Sequence, residues 1–386
     1  MNALRRLARD RKDLFWLVFP AIILCSITLG EIWAGVLVLL ALAARRWRRL
    51  PRELIVPMLI FYAWIIVGGL LAGAGAADFR DAAAKWSFSL LLLLALSAGP
   101  TGGKILWRSL VVVAVSGILL VVLVRDPVYG RARAFSGGAP NLGTNLMMAS
   151  LLFLSVIVSG WLRRPATTIT CLLATLIGML ASLNRSAMLG FAAGSGALAG
   201  RKRPILVVMA LGLLAGLVIA FPDTSLSKRI TSIADSQSQS GRERVFMWKA
   251  GLRMLRDRPL LGLTGRRTFM MEYSTRYRDP NSFETTPGHV HNSYLQTSIL
   301  HGIPGLGLAL WWLYVLLVKA VRLMRHPPAR QEPEITSFQA ALPALIIAVL
   351  VNGFFDYVIA DGQRAMMFYT LSGLILSSAL PSPRRK

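Results

Sequence analysis

The chain is short of charge, and shorter still of negative charge. Of its 386 residues 16% are charged, where soluble globular proteins carry about a quarter. Only 18 are Asp or Glu, against 43 Lys or Arg, which leaves a net charge of +25. Long uncharged runs account for the deficit. With 55% apolar residues they exclude an ordinary soluble domain. The two cysteines, Cys25 and Cys171, both lie inside apolar runs, so no disulfide or thiolate–metal framework is expected. A nucleotide-binding signature is also missing. Gly99-Pro100-Thr101-Gly102-Gly103-Lys104 resembles a phosphate loop, but its spacing is wrong and Ile105 stands where Ser or Thr is needed. There is no RNA-binding motif and no basic patch interleaved with aromatics, so nucleic acid is not an expected partner. No convincing internal repeat occurs, and no carboxylate pair of the glycosidase kind is evident.

What the chain has is hydrophobic runs. They predict an all-α polytopic membrane protein with twelve spans, at about 14–30, 32–44, 54–74, 84–98, 106–124, 142–162, 166–183, 186–199, 204–221, 303–321, 338–354 and 364–380. Several are short, which implies tilt or partial insertion. Arg5, Arg6, Arg9, Arg11 and Lys12 before the first run resemble a signal sequence. The run leads into Glu31-Ile32-Trp33 without a small-residue cleavage site, so it reads as an uncleaved first span. Lys and Arg gather in alternate loops: 1–13, 45–52, 99–108, 163–164, 201–203, 319–330 and 381–386. The other set is poor in them once the long loop 222–290 is set aside, because long loops translocate regardless of charge. Both termini are therefore expected in the cytoplasm, with the basic loops against anionic membrane lipid. Three segments follow: 1–221 with nine spans, 222–302 as one large outer loop and motif, and 303–386 with the last three spans.

This orientation puts Arg185, the long loop and His291 on the outer side. ATP and sugar nucleotides are cytoplasmic, so an enzyme there must use a substrate already activated and carried on lipid. Within the loop, Asp235-Ser236-Gln237-Ser238-Gln239-Ser240-Gly241 is polar and reads as mobile. Arg242 to Arg258 reads as an amphipathic helix with Val245, Trp248, Leu252 and Leu255 in one stripe. Arg242, Lys249, Arg253 and Arg256 fall within an arc of about 60° beside it. Pro259 stops the helix. Such a helix would lie in the outer interface, and generic attraction to headgroups accounts for most of these cations. Leu260-Leu261-Gly262-Leu263-Thr264-Gly265-Arg266-Arg267 then turns the chain back. Gly190, Ala193, Gly194 and Gly196 read as close helix packing.

Residues 287–305 hold three of the four histidines. Asn292 or Ser293 can cap a helix start, Gly302 would end it, and Pro304 would open another. This predicts a broken helix at membrane depth, with His291 at its polar mouth. Imidazole titrates near neutrality and can take a proton from a hydroxyl. His291 therefore reads either as a general base or as an interfacial side chain that only bonds the broken helix. His289 and His291, with His301, could instead begin a metal site, although no cysteine or carboxylate cluster accompanies them. Arg185 lies between two apolar runs in Ser182-Leu183-Asn184-Arg185-Ser186. An arginine at a helix centre costs about 2.5–3.5 kcal/mol to insert, so it reads as functional in preference to snorkelling. Its guanidinium fork suits a diphosphate, and Arg242 is a second candidate. Asp356 and Asp361 read as solvated loop acids, with a role in orienting His291 or a sugar as the alternative.

These residues carry a family resemblance. His291, Asn292, the nine residues Ser293 to His301, Gly302, Ile303-Pro304 and Gly305 complete one pattern: His, then Asn, Ser or Gln, nine free positions, Gly, two free, then Gly, Thr or Tyr. The layout of twelve spans with a large loop before that motif is similar too. So are the Ser-x-x-Arg segment ending at Arg185 and the run Arg242…Trp248…Pro259-Leu260-Leu261-Gly262. The chain thus resembles the bacterial O-antigen ligases of the ligase/polymerase superfamily. The resemblance implies a glycosyltransferase C-type membrane fold at the inner membrane, with its site facing the periplasm. It implies transfer of O-antigen polysaccharide from undecaprenyl diphosphate to a sugar hydroxyl of lipid A-core, with no metal or other cofactor. His291 would be the general base. Arg185 and Arg242 would hold the donor diphosphate, Arg266 being a weaker candidate, with Asn292, Gly302 and Gly305 in support. Close alternatives are an O-antigen polymerase and a protein O-oligosaccharyltransferase. A flippase or transporter is the alternative of another class, against which the one-sided outer loop and single helix break argue.

Overall fold

The apolar runs fold as helices, and no strand occurs among the described residues. The computed structural model describes residues 12–43, 51–125, 131–135, 138–160, 164–199, 239–328 and 331–380. Its helices are α1 (Lys12–Cys25), α2 (Ile27–Ala43), α3 (Arg52–Leu71), α4 (Ala76–Ser87), α5 (Leu90–Leu96), α6 (Gly102–Leu123) and α7 (Ala139–Val158). There follow α8 (Pro165–Ala181), α9 (Arg185–Ala199), α10 (Gln239–Asp257), α11 (Arg266–Glu272), α12 (Ser293–Arg325), α13 (Pro333–Gly353) and α14 (Gly362–Ser377). By length and composition α3, α6, α7, α12 and α13 can each cross a membrane. Among the described residues the protein is all-helical, with the apolar helices that a polytopic membrane protein requires. The span expected at 204–221 and most of the polar stretch 235–241 lie outside the described residues.

One expected span is two helices. The run 84–98 divides into the end of α4 and the short α5. Asp78, Arg80, Asp81 and Lys85 make α4 too polar to cross alone, and it packs on α11 instead. Asp81 Oδ2 accepts the Arg266 backbone N–H at 2.9 Å, and Asp78 Oδ2 accepts the Thr268 hydroxyl at 2.9 Å. The α4 carboxylates thus meet the N–H groups and positive dipole end of the first turn of α11.

Packing of α9 on α13 fixes which helix ends share a level. A Cβ on Gly190 would stand 2.7 Å from the Ala348 oxygen, and one on Gly194 would stand 2.9 Å from the Ala348 Cβ and 3.1 Å from the Ala344 oxygen. Glycine lets the backbones approach this closely, as the sequence suggested for these two. Gly196 differs, having nothing within 4 Å of its built Cβ. As α9 advances, its contacts retreat along α13, so the helices are antiparallel. The start of α9, at Arg185, therefore lies at the level of the end of α13, at Gly353. Thr144 Oγ1 fixes that level by accepting from Asn184 Nδ2 at 3.3 Å and Asn352 Nδ2 at 3.0 Å.

The loop helices form a second core on the first half of α12. Met247, Ala250 and Met254 of α10 are buried with Leu263, Phe269, Tyr273, Val290, Ile299 and Leu300. This is not the stripe expected from periodicity, since Val245 is 38% and Leu252 58% exposed. The helix carries two apolar faces. The one holding Gly251 wins because a Cβ there would meet Ile299 Cδ1 at 2.8 Å, so α10 sits hard against α12. Arg253 is not a headgroup cation either, because its Nη2 donates to the Tyr277 carbonyl at 2.6 Å.

The break in α12 falls at Gly302, with φ 71° and ψ 176°. A helix break frees backbone groups that must be satisfied elsewhere when water is excluded. Here the partners come from the Pro259-to-Thr264 turn and from α3. Leu263 N–H donates to Ile299 O at 2.7 Å, Thr264 N–H to Leu300 O at 2.8 Å, and Ile303 N–H to Pro259 O at 2.8 Å. The Trp64 indole donates to His301 O at 2.8 Å. The Pro259-to-Thr264 turn therefore replaces the missing helical bonds. Only glycine fits, because a Cβ on Gly302 would stand 1.9 Å from the Leu260 oxygen.

Candidate active site

The short half of α12 begins as expected. Asn292 Oδ1 accepts the N–H groups of Tyr294 at 3.0 Å and Leu295 at 2.9 Å, the work of an N-cap. His291 precedes it, at the opposite end of the half-helix from the break. Its backbone has φ 51°, a left-handed conformation uncommon for a residue with a side chain. His289 Nδ1 supports that bend by accepting the His291 N–H at 3.2 Å. Upstream, Gln296 Oε1 accepts the Val290 N–H at 2.9 Å, and the Trp248 indole donates to Val290 O at 2.9 Å. The bend is pinned on both sides, and the imidazole is 38% exposed.

The segment between α13 and α14 meets His291 there. His291 Nδ1 lies 3.4 Å from Asp356 Oδ1, an ion contact rather than an aligned hydrogen bond. Asp356 Oδ1 also accepts the Tyr357 N–H at 2.9 Å, and Ser293 Oγ donates to Asp356 O at 2.9 Å. Asp356 is not the solvated loop acid that its position suggested; it is 3% exposed. The reason is Arg364, equally buried, whose Nη1 stands 2.5 Å from Asp356 Oδ2 and whose Nη2 pairs with Asp361. Lys85 adds a further cation 3.6 Å from Asp361 Oδ1. Burial pushes the Asp356 carboxyl up, but Arg364 and then His291 outweigh it and hold it well below the ordinary range. The Asp361 carboxyl is also lowered: burial pushes it up, but Arg364 and Lys85 outweigh that. Burial depresses His289 to about 3, so it stays neutral beside His291.

The expected arginines divide. Arg185 opens α9 at the level of Gly353 and Asp356. Arg266 comes to the segment that leads into His291, since a Cβ on Gly288 would stand 2.6 Å from its Nη2. Arg242 is exposed on α10. Arg244, two residues on, is the inward one. It shares a face with Trp248, four residues later, and with Gly251 against α12. Burial lowers the Arg244 guanidinium, and the nearby Asp356 carboxylate pulls it back up. Among the described residues Arg244 has no ion pair. Sequence reading named Arg242 and did not consider Arg244, whose i,i+4 spacing to Trp248 was available.

Residues 169–310 match the model of a protein family described as O-antigen ligase. Over those residues the chain is similar to the O-antigen ligase family. The matched region runs from α8 through α9, the loop helices and the break in α12, and so contains Arg185, Arg244 and His291. No curated protein matches the chain. That similarity supports, at a coarse level, a glycosyltransferase-like activity of the ligase and polymerase type on lipid-linked polysaccharide.

A metal reading has a different third ligand from the one expected. His289, His291 and Asp356 bring three ligand atoms within 4.8 Å of one another. His301 is apart from them, buried, with Nε2 accepting the Trp86 indole at 3.0 Å. The cluster suits a cation poorly. Asp356 is already engaged by Arg364 and by the Tyr357 N–H, and Arg244 adds positive charge beside it. The acids Asp356 and Asp361 are offset by Arg364 and Lys85. Arg244 remains over as a positive charge in no ion pair among the described residues.

Proposed function

We propose that the chain transfers a glycan from undecaprenyl diphosphate to a sugar hydroxyl of lipid A-core at the periplasmic face of the inner membrane, within a glycosyltransferase C-type fold of twelve spans. The observation that carries this reading is the half-buried, unpaired Arg244 beside the His291–Asp356 contact. A base that needs its acceptor next to a leaving group that needs positive charge calls for that pairing. Asp356 orients the imidazole through the Nδ1 contact, which leaves Nε2 for the acceptor O–H. Arg185 and Arg244, with Arg266 from the Gly288 side, hold the donor diphosphate. We assign the exposed Arg242 to the headgroup zone. The acceptor oxygen bonds to the anomeric carbon as the bond to the diphosphate oxygen breaks. The proton passes to His291, and the electron pair leaves on the diphosphate, stabilised by the guanidinium groups. No proton on the leaving group and no metal is required. Attack from the face opposite the diphosphate inverts the anomeric centre.

The two neighbouring arginines provide the test. Arg244→Ala is expected to lower the rate of transfer from a lipid-linked donor by about 10²–10³, the loss seen when one charge-stabilising donor is removed. Arg242→Ala should stay within a few-fold of the parent. Initial rates with purified protein decide between them, and equal losses at both positions would remove Arg244 from this role.

A further inference from the structure

At the end of the bundle remote from His291, α3 and α12 part. They run antiparallel: Trp64 meets His301 toward the site, while Lys319 Nζ meets Glu53 Oε2 at 2.8 Å at the far end. The stretch of α12 from His301 to Lys319 is about 27 Å long at 1.5 Å per residue. Between the two helices at that far end lies a groove of about 550 Å³. Val56, Trp311 and Tyr314 form an apolar wall, and they are 49%, 41% and 62% exposed. Arg52, Glu53, Lys319 and Arg322 line the charged end, three cations to one carboxylate. A second hollow of about 350 Å³ adjoins it across Arg322 and adds Arg325 and His326.

The two ends of the groove ask for different chemistry in one ligand. Glu53 offsets Lys319, but among the described residues neither Arg52 nor Arg322 is in an ion pair. Two guanidinium groups at the mouth call for a phosphate, which their donor fork matches. The exposed Trp311 and Tyr314 call for a hydrocarbon chain reaching into the bilayer, with their rings at headgroup level. A soluble anion would leave that wall unused. We propose that this groove seats an anionic phospholipid, its phosphate held by Arg52 and Arg322 and its acyl chains lying along Val56, Trp311 and Tyr314. This inference needs only that α3 and α12 cross the membrane. It does not depend on the glycosyl-transfer reading.

Native mass spectrometry of the full chain in detergent tests it, with phosphatidylglycerol and phosphatidylcholine of identical acyl chains. Phosphatidylglycerol is expected to be retained about tenfold or more above phosphatidylcholine. The paired substitution Arg52→Gln with Arg322→Gln should abolish the preference. Equal retention of the two lipids, or a preference unchanged in the paired variant, overturns the proposal. A second readout needs no charge variant. Brominated phosphatidylglycerol should quench tryptophan fluorescence by an amount that falls in Trp311→Phe, and identical quenching in parent and variant also overturns it.

Discussion

Replacing His291 by alanine is expected to lower the transfer rate by about 10²–10⁴, the usual contribution of a positioned base. The imidazole is the one group at this end that is both accessible and held by a buried carboxylate. Alanine, however, also places a Cβ without a polar side chain at φ 51°, which costs some stability on its own. His291→Asn separates the two effects, because asparagine tolerates the left-handed region. Both variants should lose the rate, while Asn keeps the parent's unfolding temperature. Single-turnover measurements on purified protein in detergent read the rate, and near-parental transfer by His291→Asn would take the base away from this histidine.

Arg364→Gln is expected to have the largest effect on stability, about 3–5 kcal/mol, the cost of leaving buried charge unpaired. One guanidinium here holds two carboxylates, Asp356 and Asp361. Without it Asp361 keeps Lys85 at 3.6 Å, while Asp356 keeps the His291 contact and Arg244 nearby but no other arginine or lysine ion pair among the described residues. The loss should depend on pH. In the parent, Asp356 has a depressed folded pKa, so its contribution is present above the unfolded value of about 3.9 and is lost as pH falls through the folded value. Without Arg364, burial dominates and raises that carboxyl, which then prefers its proton. The gap between parent and variant should therefore narrow as pH drops from 8 toward 5. Thermal unfolding across that range measures it, and a gap independent of pH would mean that Arg364 acts only by packing.

Features set by neighbouring residues were legible in the sequence. Asn292 caps and Gly302 breaks because each acts within a turn of its own position. The apolar runs marked most helices for the same reason. Features set by distant partners were not. Asp356 looks like a loop acid until α14 delivers Arg364, and its burial depends on that pair. Choosing between Arg242 and Arg244 requires knowing which of two apolar faces of α10 meets α12, and Gly251 decides that only once α12 is in place. The turn from Pro259 to Thr264 reads in sequence as a simple reversal. Its role in satisfying the broken helix appears only when Leu263 and Thr264 meet Ile299 and Leu300.

The most direct measurement is the anomeric configuration of the product. Purified protein would receive a lipid-diphosphate-linked glycan of known anomeric form and a core-lipid acceptor, and nuclear magnetic resonance would read the new linkage. With one imidazole as base, and guanidinium groups opposite it drawing off the diphosphate, the account predicts an inverted centre and one equivalent of free lipid diphosphate per linkage. A retained centre would require an intermediate bound to the protein, and would contradict the arrangement of His291, Asp356 and Arg244 proposed here.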